Sequence, residues 1–333
     1  MGPVTGTAEP ATPDVIVAVD GGNSKTDVAV ATSDGRLLAR VRGPGFEPQV
    51  RGVEAAVDVV GGLIAEAASA AGVTLPVRHV EACVANADLP VEEKRLLTAV
   101  EQRAWGRTAS VVNDTFAVLR SGTAAADAVA VVCGAGINCV GCAADGSTAR
   151  FPALGRITGD WGGGGGLFEE VLWWSVRAED GRGPSTALAP AAARHFGVAT
   201  ATEVASRAHL GSLPWGRLHE LVPVLCAVAA EGDGVAGAIL DRQAEEVALL
   251  ALTALRRLGL VEKEVDVVLG GGILAARPAR LIAGIRLRVG ARAPLARIVV
   301  AGVPPIAGAV LRGLDAVGGG GAAVEARVRA GFA

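Results

Sequence analysis

The pattern of apolar and polar residues predicts strands that alternate with helices. Asp14–Asp20 is a β-branched apolar run that stops at two glycines, and a strand pattern resumes as far as Gly43 with a turn at Asp34-Gly35, so a β-hairpin opens a sheet. Helix, strand, helix and a further short strand follow at Val53–Ala71, Val77–Ala85, Val91–Ala104 and Ser110–Thr115. This pattern predicts a first α/β lobe with a mixed sheet, from residue 14 to about 120.

The second half of the chain, residues 121–304, is predicted to form a second α/β lobe. Ala128–Ser147 repeats the order of strand, glycine turn, strand and polar turn, so we expect the two lobes to share a topology. A helical region from Leu167 to about Leu258 is broken at glycine and proline segments, and Val265–Leu274 is a late buried strand containing three glycines. One more strand and a closing helix, at about residues 305–318, follow. Residues 1–13 and 319–333 are expected to be tails.

Composition and charge exclude several classes of protein. Hydrophobic residues make up 51% of the chain, but no stretch reaches the roughly 18 uncharged apolar residues typical of a spanning helix, so no membrane partner is expected. Lys and Arg total 31 against 34 Asp and Glu, with no basic run suited to nucleic acid. The start of the chain lacks the features of a signal peptide, which predicts a cytoplasmic protein. Five cysteines, an odd number, fit reduced thiols.

Three glycine turns carry the first sign of chemistry. Each follows an apolar strand and contains or adjoins polar residues or further glycines, at Asp20–Thr26, Gly134–Asn138 and Gly270–Gly272. Glycines let successive backbone N–H groups point at phosphate oxygens, although any single turn is better explained as a tight hairpin. The three together favour a nucleotide site. Neither the P-loop motif GxxxxGK[ST] nor the dinucleotide-binding motif GxGxxG with its following acidic residue occurs. P-loop and dinucleotide-binding folds are therefore disfavoured.

The order of these motifs resembles one superfamily. DGGNSKTD, NDTFAVLRSGT, VCGAGINCVG, FPALGRITGDWGGG and VVLGGGIL stand in the order found in the sugar kinase, Hsc70 and actin superfamily, and most closely resemble BadF/BadG/BcrA/BcrD-type ATPases of the N-acetylglucosamine kinase kind. The resemblance covers about Val15 to Gly318. It implies two lobes of ribonuclease H-like, actin-like ATPase topology around an ATP cleft, with the closing helix at about residues 305–318 packed back on the first lobe. It also implies ATP and Mg²⁺ as cofactors, an amino sugar phosphorylated on its 6-hydroxyl, and a homodimer.

Phosphoryl transfer requires phosphate donors, Mg²⁺ and an oriented acceptor hydroxyl. Asp20, at a strand end, is the candidate Mg²⁺ ligand. Asp114 is the candidate base that accepts the proton of the acceptor hydroxyl, a role that the resemblance also gives it. A helix N-cap is the alternative interpretation of Asn113-Asp114-Thr115. The candidate nucleotide-binding residues are Gly21, Gly22, Asn23, Ser24, Lys25, Thr26, Gly134, Ala135, Gly136, Gly270, Gly271 and Gly272. The candidate sugar-binding residues are Glu47, Asn113, Asn138, Gly155 and Asp160.

The sequence departs from the family pattern at two loops that concern the sugar. Phe46-Glu47 stands where sugar kinases of this group have a Ser-Asn pair, so Glu47 either binds the acceptor or is a solvated carboxylate. Trp161 replaces the Glu of a GDEG motif and either stacks on the sugar or packs under the loop. Beside Asn138, Ala135 and Ile137 replace hydroxyl residues.

Two other functions stay open at this point. BadF-type activators drive a partner protein and carry a cysteine-ligated iron–sulfur cluster, but the cysteines here lie mostly in predicted strands, and the two of Cys139-Val140-Gly141-Cys142 would point to opposite faces of one strand. A nucleotide-binding regulator with a degenerate sugar site is the other alternative. The retained Asp20, Asn113, Asp114 and Asp160 oppose it.

Overall fold

The computed structural model describes residues 14–333, and the tail expected at residues 1–13 lies outside them. The ten strands of this part of the chain are β1 (Val15–Gly21), β2 (Thr26–Thr32), β3 (Leu37–Gly43), β4 (Val77–Val84), β5 (Gly106–Asn113), β6 (Ala128–Cys133), β7 (Ile137–Cys142), β8 (Thr148–Arg150), β9 (Val265–Gly270) and β10 (Ala296–Val300). The α-helices of the same residues are α1 (Pro48–Arg51), α2 (Val53–Ala71), α3 (Pro90–Gln102), α4 (Thr115–Gly122), α5 (Gly163–Glu179), α6 (Leu188–Phe196), α7 (Ala201–His209), α8 (Leu221–Ala230), α9 (Gly234–Arg257), α10 (Gly272–Ala275), α11 (Ala279–Gly290), α12 (Pro305–Ala316) and α13 (Ala322–Phe332).

The chain divides into two compact units. The first unit ends at Ser121 and takes up the chain again at Gly302–Ala333, and the second unit is Gly122–Ala301. Each contains one five-stranded mixed sheet. The fold class predicted from the sequence, an α/β protein of two lobes, is confirmed.

The sheet of the first unit has the order β3-β2-β1-β4-β5, with β1, β2 and β3 antiparallel and β1, β4 and β5 parallel. Val17 and Val19 of β1 face a core formed with α2 and α3, whereas Ile16 and Ala18 face a second core formed with α12. Because β1 is covered on both faces, it is apolar at successive positions instead of alternating ones.

The sheet of the second unit, read from β8 to β10, has the order β8-β7-β6-β9-β10. Its β6, β7 and β8 are antiparallel and its β6, β9 and β10 parallel, which repeats the first sheet strand for strand. The topology that the sequence predicted to be shared is therefore present in both units. The helices α5 to α9 between β8 and β9 form one apolar core with this sheet.

Helix α12 belongs to the first unit although it follows the second unit in sequence. It packs on β1 and β4. Gly308 lets it approach α4, since a Cβ at this position would lie 1.8 Å from the carbonyl oxygen of Ala117. Gly313 gives the same freedom against the sheet, where a Cβ would lie 3.1 Å from Cβ of Glu81.

The tail expected at residues 319–333 is wrong, because Ala322–Phe332 form helix α13. Val328 is 1% exposed in the core beneath α12. Glu325 pairs with Arg120 at 3.0 Å, and Arg329 donates to the backbone carbonyl of Ser121. The glycine run before α13 predicts the end of ordered structure, but a short helix follows it because it packs against residues that are distant in sequence. Helix α11 and the break between α6 and α7 at Gly197 were not predicted either.

No single helix of residues 14–333 is long and apolar enough to span a membrane. One pair of helical segments, Trp215–Ala230 and Gly234–Arg257, passes that test only when the two are taken together, and they are bent by 113°.

Candidate functional site

Three parallel strands of the first unit end at the same edge of its sheet. Gly21 of β1 is in register with Val84 of β4, which is in register with Asn113 of β5. The edge is held by backbone hydrogen bonds beyond the strands, since the N–H of Asp114 donates to Val84 at 3.2 Å. Parallel strands place the residues at their carboxyl ends together, so Asp20 and Asp114 lie at one edge of the sheet.

The pKa values of both carboxyl groups are raised, and the charge of Asp114 contributes to the shift at Asp20. Burial, assisted by the charges of Asp114 and Asp27, raises the pKa of Asp20 to about 8 against the opposing effect of Lys25 and Arg40. Burial outweighs the lowering effect of the backbone N–H groups of Thr115 and of Asp114 itself and raises the pKa of Asp114 to about 6. Such a displaced pair is typical of functional sites. Asp114 in particular has the pKa of a base that works near neutral pH.

Asn113 shapes the start of α4. It is buried, and its Oδ1 accepts hydrogen bonds from the backbone N–H of Thr115 at 3.0 Å and from Thr115 Oγ1 at 2.5 Å. Its Nδ2 donates to Asp88 Oδ1 at 2.8 Å. The capping interpretation therefore applies to Asn113, and contact between Asn113 and a sugar remains a prediction. The cap fixes the backbone that carries Asp114.

The turn from Asp20 to Thr26 joins β1 and β2. The N–H of Gly22 donates to the carbonyl of Lys25 at 2.9 Å, and the turn exposes Asn23, Ser24 and Lys25. Thr26 is buried, and its Oγ1 has no hydrogen-bond partner among the described residues. Buried hydroxyl groups are nearly always paired, so an unpaired one at this turn fits a site that takes a polar ligand.

The loop that carries Phe46 and Glu47 packs on this turn. Phe46 is 3% exposed, and its N–H donates to the carbonyl of Gly22 at 2.9 Å. Glu47 precedes α1, is 40% exposed and lies 3.7 Å from Arg51. Phe46 is thus a core residue that holds the glycine turn, and Glu47 has a local partner and an exposed carboxylate.

Asn86 is a residue of this site that the sequence analysis missed. Its Nδ2 donates to Asn23 Oδ1 at 2.8 Å and to the carbonyl of Phe46 at 3.0 Å, so it ties the glycine turn to the neighbouring loop. Asn86 has a φ of 64°, a left-handed conformation in which asparagine is enriched. Its position directly after an apolar strand, next to Asp88, was the available signal.

In the second unit, the turn Gly134–Gly136 between β6 and β7 is fixed by the start of α5. The N–H groups of Gly164 and Gly165 donate to the carbonyls of Gly134 at 2.8 Å and Ala135 at 2.9 Å. A Cβ on Gly163 would lie 2.4 Å from the carbonyl carbon of Gly136. The long glycine run at the start of α5 therefore serves close packing against the turn.

The turn after β9 lies beside the Gly134–Gly136 turn of the same unit. Gly270 follows Leu269 in the strand that pairs with β6, opposite Val132. Gly271 has a φ of 81°, and a Cβ there would lie 2.3 Å from the carbonyl oxygen of Cys133. By contrast, nothing lies within 4 Å of a Cβ on Gly134, Gly136 or Gly272. The two turns thus combine fixed backbone with an open side, which suits the approach of a phosphate or nucleoside.

Asn138, Gly155 and Asp160 lie in the same unit. Asn138 is in β7, and its Oδ1 accepts from the N–H of Cys139 at 2.7 Å. Both recorded hydrogen bonds to the Asp160 carboxylate fall on Oδ2, from the N–H of Gly155 at 3.1 Å and from Thr158 Oγ1 at 2.6 Å. The loop therefore holds the Asp160 carboxylate in place and leaves Oδ1 for another partner.

Trp161 packs under the loop. Its side chain is in the core, 8% exposed, and the guanidinium carbon of Arg242 lies 4.2 Å from the centre of its ring. Next to Arg242, the buried Gln243 accepts from the N–H of Gly163 at 3.0 Å. The sequence analysis missed both α9 residues, because their only signal there was a helical pattern 80 residues further along the chain.

The thiols and acidic groups offer no metal cluster. Cys83, Cys133 and Cys139 are buried, and burial raises the pKa of each. Within residues 14–333, no group of three or more His, Cys, Asp or Glu side chains is arranged to hold a metal ion. Two carboxylates at one edge suit Mg²⁺, which keeps several waters and takes one or two protein carboxylates together with substrate phosphates.

Comparison with known proteins shows the family of the chain. The sequence model of an ATPase family, described as BadF/BadG/BcrA/BcrD, matches residues 17–313. The chain belongs to the BadF/BadG/BcrA/BcrD ATPase family. As a member of this family, it uses ATP.

Two curated relatives of this BadF/BadG/BcrA/BcrD member are named as amino-sugar kinases. The N-acetyl-D-glucosamine kinase of Dictyostelium discoideum is 24% identical over 271 residues, covering 75% of this chain and 82% of that protein. The N-acetylmuramic acid/N-acetylglucosamine kinase of Clostridium acetobutylicum is 24% identical over 267 residues, covering 78% and 85%.

Solved structures show the same fold. A protein of Chromobacterium violaceum described as an N-acetylglucosamine kinase superposes with a TM-score of 0.70 at 23% identity, over 90% of this chain and 98% of that one. A ROK family glucokinase of Streptomyces griseus, solved with glucose and AMPPNP, gives 0.59 at 18% identity, over 91% and 98%. These likenesses confirm the actin-like ATPase fold of this BadF/BadG/BcrA/BcrD member.

Proposed function

We propose that this protein is an ATP-dependent sugar kinase that transfers the γ-phosphoryl group of ATP to the 6-hydroxyl of N-acetylglucosamine or a related amino sugar. The observation that carries the proposal is the Asp20–Asp114 edge, where a carboxyl group with a pKa of about 6 stands at the end of three parallel strands. The amino-sugar kinases among its relatives give the substrate class.

Each group at the edge has a task in this reaction. Asp114 accepts the proton of the acceptor hydroxyl as the oxygen attacks the γ-phosphorus, and the Asn113 cap keeps its backbone in place. The exposed Asn23, Ser24 and Lys25 supply donors to phosphate oxygens. Asp20 is the proposed ligand of Mg²⁺, which when bound neutralises charge on the phosphates.

The glycine turns of the second unit are proposed to hold the nucleotide. The open sides of Gly134, Gly136 and Gly272 allow a ligand to approach the backbone closely. Asp160 Oδ1 and Asn138 are proposed to accept from or donate to sugar hydroxyls, and the exposed carboxylate of Glu47 is a further candidate for contact with the acceptor.

The direct test is a set of acceptors given to purified protein with ATP and Mg²⁺. Release of ADP is followed with N-acetylglucosamine, glucosamine, N-acetylmannosamine, N-acetylmuramic acid and glucose, and the product is located by NMR. We expect amino-sugar-dependent ADP release with the phosphate on O6. If no sugar raises ADP release above the background rate, the proposal is wrong.

The partner-activating ATPase of the same family is the alternative. A cysteine-ligated cluster would need accessible thiols, and three of the five are buried with raised pKa values. The observations therefore favour the kinase. The homodimer and the cytoplasmic location remain predictions, the first of which light scattering after size exclusion tests directly.

A further inference from the structure

Arg242 of α9 is placed by a tryptophan. Its guanidinium carbon lies 4.2 Å from the centre of the Trp161 ring, a distance at which the ring holds a cation by its face. Because Trp161 is 8% exposed and Arg242 has an exposed fraction of 53%, the ring is a buried platform and the arginine is the part that meets solvent. A stacked guanidinium loses little freedom when it binds a ligand.

The hydrogen-bonding capacity of Arg242 is not used within its own unit. Its one ion pair is to Glu246, with Nε 3.9 Å from Oε1, and the structure records no hydrogen bond of Arg242 to any described residue. Arg280, by contrast, donates two hydrogen bonds to the carboxylate of Asp241, the residue next to Arg242, at 2.9 Å and 2.6 Å. A planar fork with uncommitted N–H groups is the group that recognises a carboxylate with two parallel bonds.

Arg242 also lies beside the proposed acceptor site. Trp161 follows Asp160 directly, and the Asp160 carboxylate is held by the Gly155–Thr158 turn with one oxygen left over. Burial raises the pKa of Glu246, Arg242 lowers it, and the charges of Glu245 and Asp160 raise it, so Asp160 is close enough to act on the Arg242–Glu246 pair. The Asp160 carboxylate, which can accept a hydrogen bond from a hydroxyl group, and the Arg242 guanidinium are therefore neighbours.

We infer that Arg242 is a specificity-determining residue that binds an anionic substituent of the acceptor, so that the enzyme favours an amino sugar bearing a carboxylate over its neutral counterpart. This inference rests on the proposed kinase function. Asp160 Oδ1 accepts a hydrogen bond from a ring hydroxyl of the sugar. The Arg242 guanidinium pairs with the carboxylate of the sugar, which replaces Glu246 as its partner because Glu246 lies 3.9 Å away.

The test compares two acceptors that differ by one carboxylate. N-acetylmuramic acid is N-acetylglucosamine with a lactyl ether, and kcat/KM for both is measured with ATP and Mg²⁺ in the natural protein, in Arg242→Gln and in Arg242→Lys. We expect Arg242→Gln to lower the ratio of kcat/KM for the acid over the neutral sugar about ten- to a hundredfold, through KM, since charged hydrogen bonds have that size. Arg242→Lys, which keeps the charge, should restore part of the ratio.

A control variant and a binding measurement separate the possible failures. Arg256→Gln makes the same change in the same helix and should leave the ratio unchanged. If both sugars are phosphorylated and Arg242→Gln leaves the ratio intact, the inference is wrong and the kinase function stands. If neither sugar is phosphorylated, the proposed function fails, and calorimetry then decides: binding of N-acetylmuramic acid that Arg242→Gln does not weaken, or no binding at all, overturns the inference.

Discussion

Asp114 and Asp20 show how a few residues carry the chemistry while their neighbours hold them. The Asn113 side chain accepts a hydrogen bond from the Thr115 backbone and donates one to Asp88. These bonds fix the backbone from which Asp114 projects. Burial raises the pKa of both carboxyl groups, and the charge of Asp114 adds to the effect at Asp20. Buried carboxyl groups with pKa values displaced in this way are typical of functional sites.

The pKa of Asp114 predicts a pH dependence. A base works only when ionised, so kcat/KM should fall tenfold per pH unit below about 6 and level off above it. Asp114→Asn, which cannot accept a proton, should lower turnover by about 10²- to 10⁴-fold while ATP still binds. Turnover is followed by ADP release and binding by calorimetry.

Asp58→Asn, at an exposed ion pair with Arg103, is the matched control for this variant. It should leave both turnover and the pH profile as they are. Turnover of Asp114→Asn within a few-fold of the natural protein would show that another group is the base.

The sequence placed Asp20 and Asp114 each at the end of an apolar run, since strand ends can be read from such runs, and the structure places both at one edge of the sheet. It did not predict Asn86, Arg242 or Gln243. Their contacts join loops and helices that are distant along the chain, such as the 80 residues between Gly163 and Gln243. No local pattern marks such a residue, because its role arises only when the elements pack.

Among the elements, the glycine turns divide into positions that need glycine for packing and positions that leave space. Gly271 combines a φ of 81° with a carbonyl oxygen 2.3 Å from where a Cβ would lie. Gly272, the first residue of α10, is exposed and has nothing within 4 Å. Sequence reading gave both glycines one role, and only the backbone geometry separates them.

This pair predicts two different outcomes from the same substitution. Gly271→Ala should destabilise the protein by about 2 kcal/mol or more, because the new methyl group meets backbone that cannot move aside. Gly272→Ala should leave the melting temperature unchanged or slightly higher, since alanine favours a helix start, and should weaken ATP binding if the ligand approaches this backbone. Thermal unfolding and ATP calorimetry distinguish them, and equal melting temperatures for the two variants would contradict the assignment.

The element pattern itself was largely readable from the sequence. Helix α2 spans Val53–Ala71 as its periodicity predicts, and both hairpins were found from glycine turns between apolar runs. Helix α13 was missed because Gly318–Gly321 is a strong breaker signal and because its buried face is narrow, with Val328 as its one buried residue. Its stability comes from tertiary packing, which local propensity does not report.

At the scale of the whole molecule, an ion pair between a buried glutamate and a partly exposed arginine joins the last part of the chain to the first sheet. Arg312 of α12 donates to Glu81 of β4 at 2.8 Å, across 231 residues that include the whole second unit. Glu81 is 1% exposed and also contacts His79, Ser110 and the thiol of Cys83. Nothing in either local sequence indicates this partner, although it anchors the last part of the chain to the first sheet.

Glu81 should therefore govern acid stability. Burial alone would raise its pKa, but His79, Arg312 and Ser110 together outweigh burial and lower it from 4.5 to about 2. A carboxyl group whose pKa is lower in the folded than in the unfolded state stabilises the protein at pH values above the unfolded pKa. That contribution is lost as the pH falls from about 4.5 towards 2. Glu81→Gln should remove this contribution together with the charged hydrogen bond from Arg312, at a cost of about 3 kcal/mol near pH 7.

The measurement is the melting temperature of both proteins from pH 7 down to pH 3. We expect a large difference near neutral pH that narrows below pH 4.5, because the natural protein then loses the same interaction. Glu101→Gln, at an exposed position of α3, should follow the natural protein throughout. If the curves of Glu81→Gln and the natural protein run parallel down to pH 3, the ion pair does not control acid unfolding.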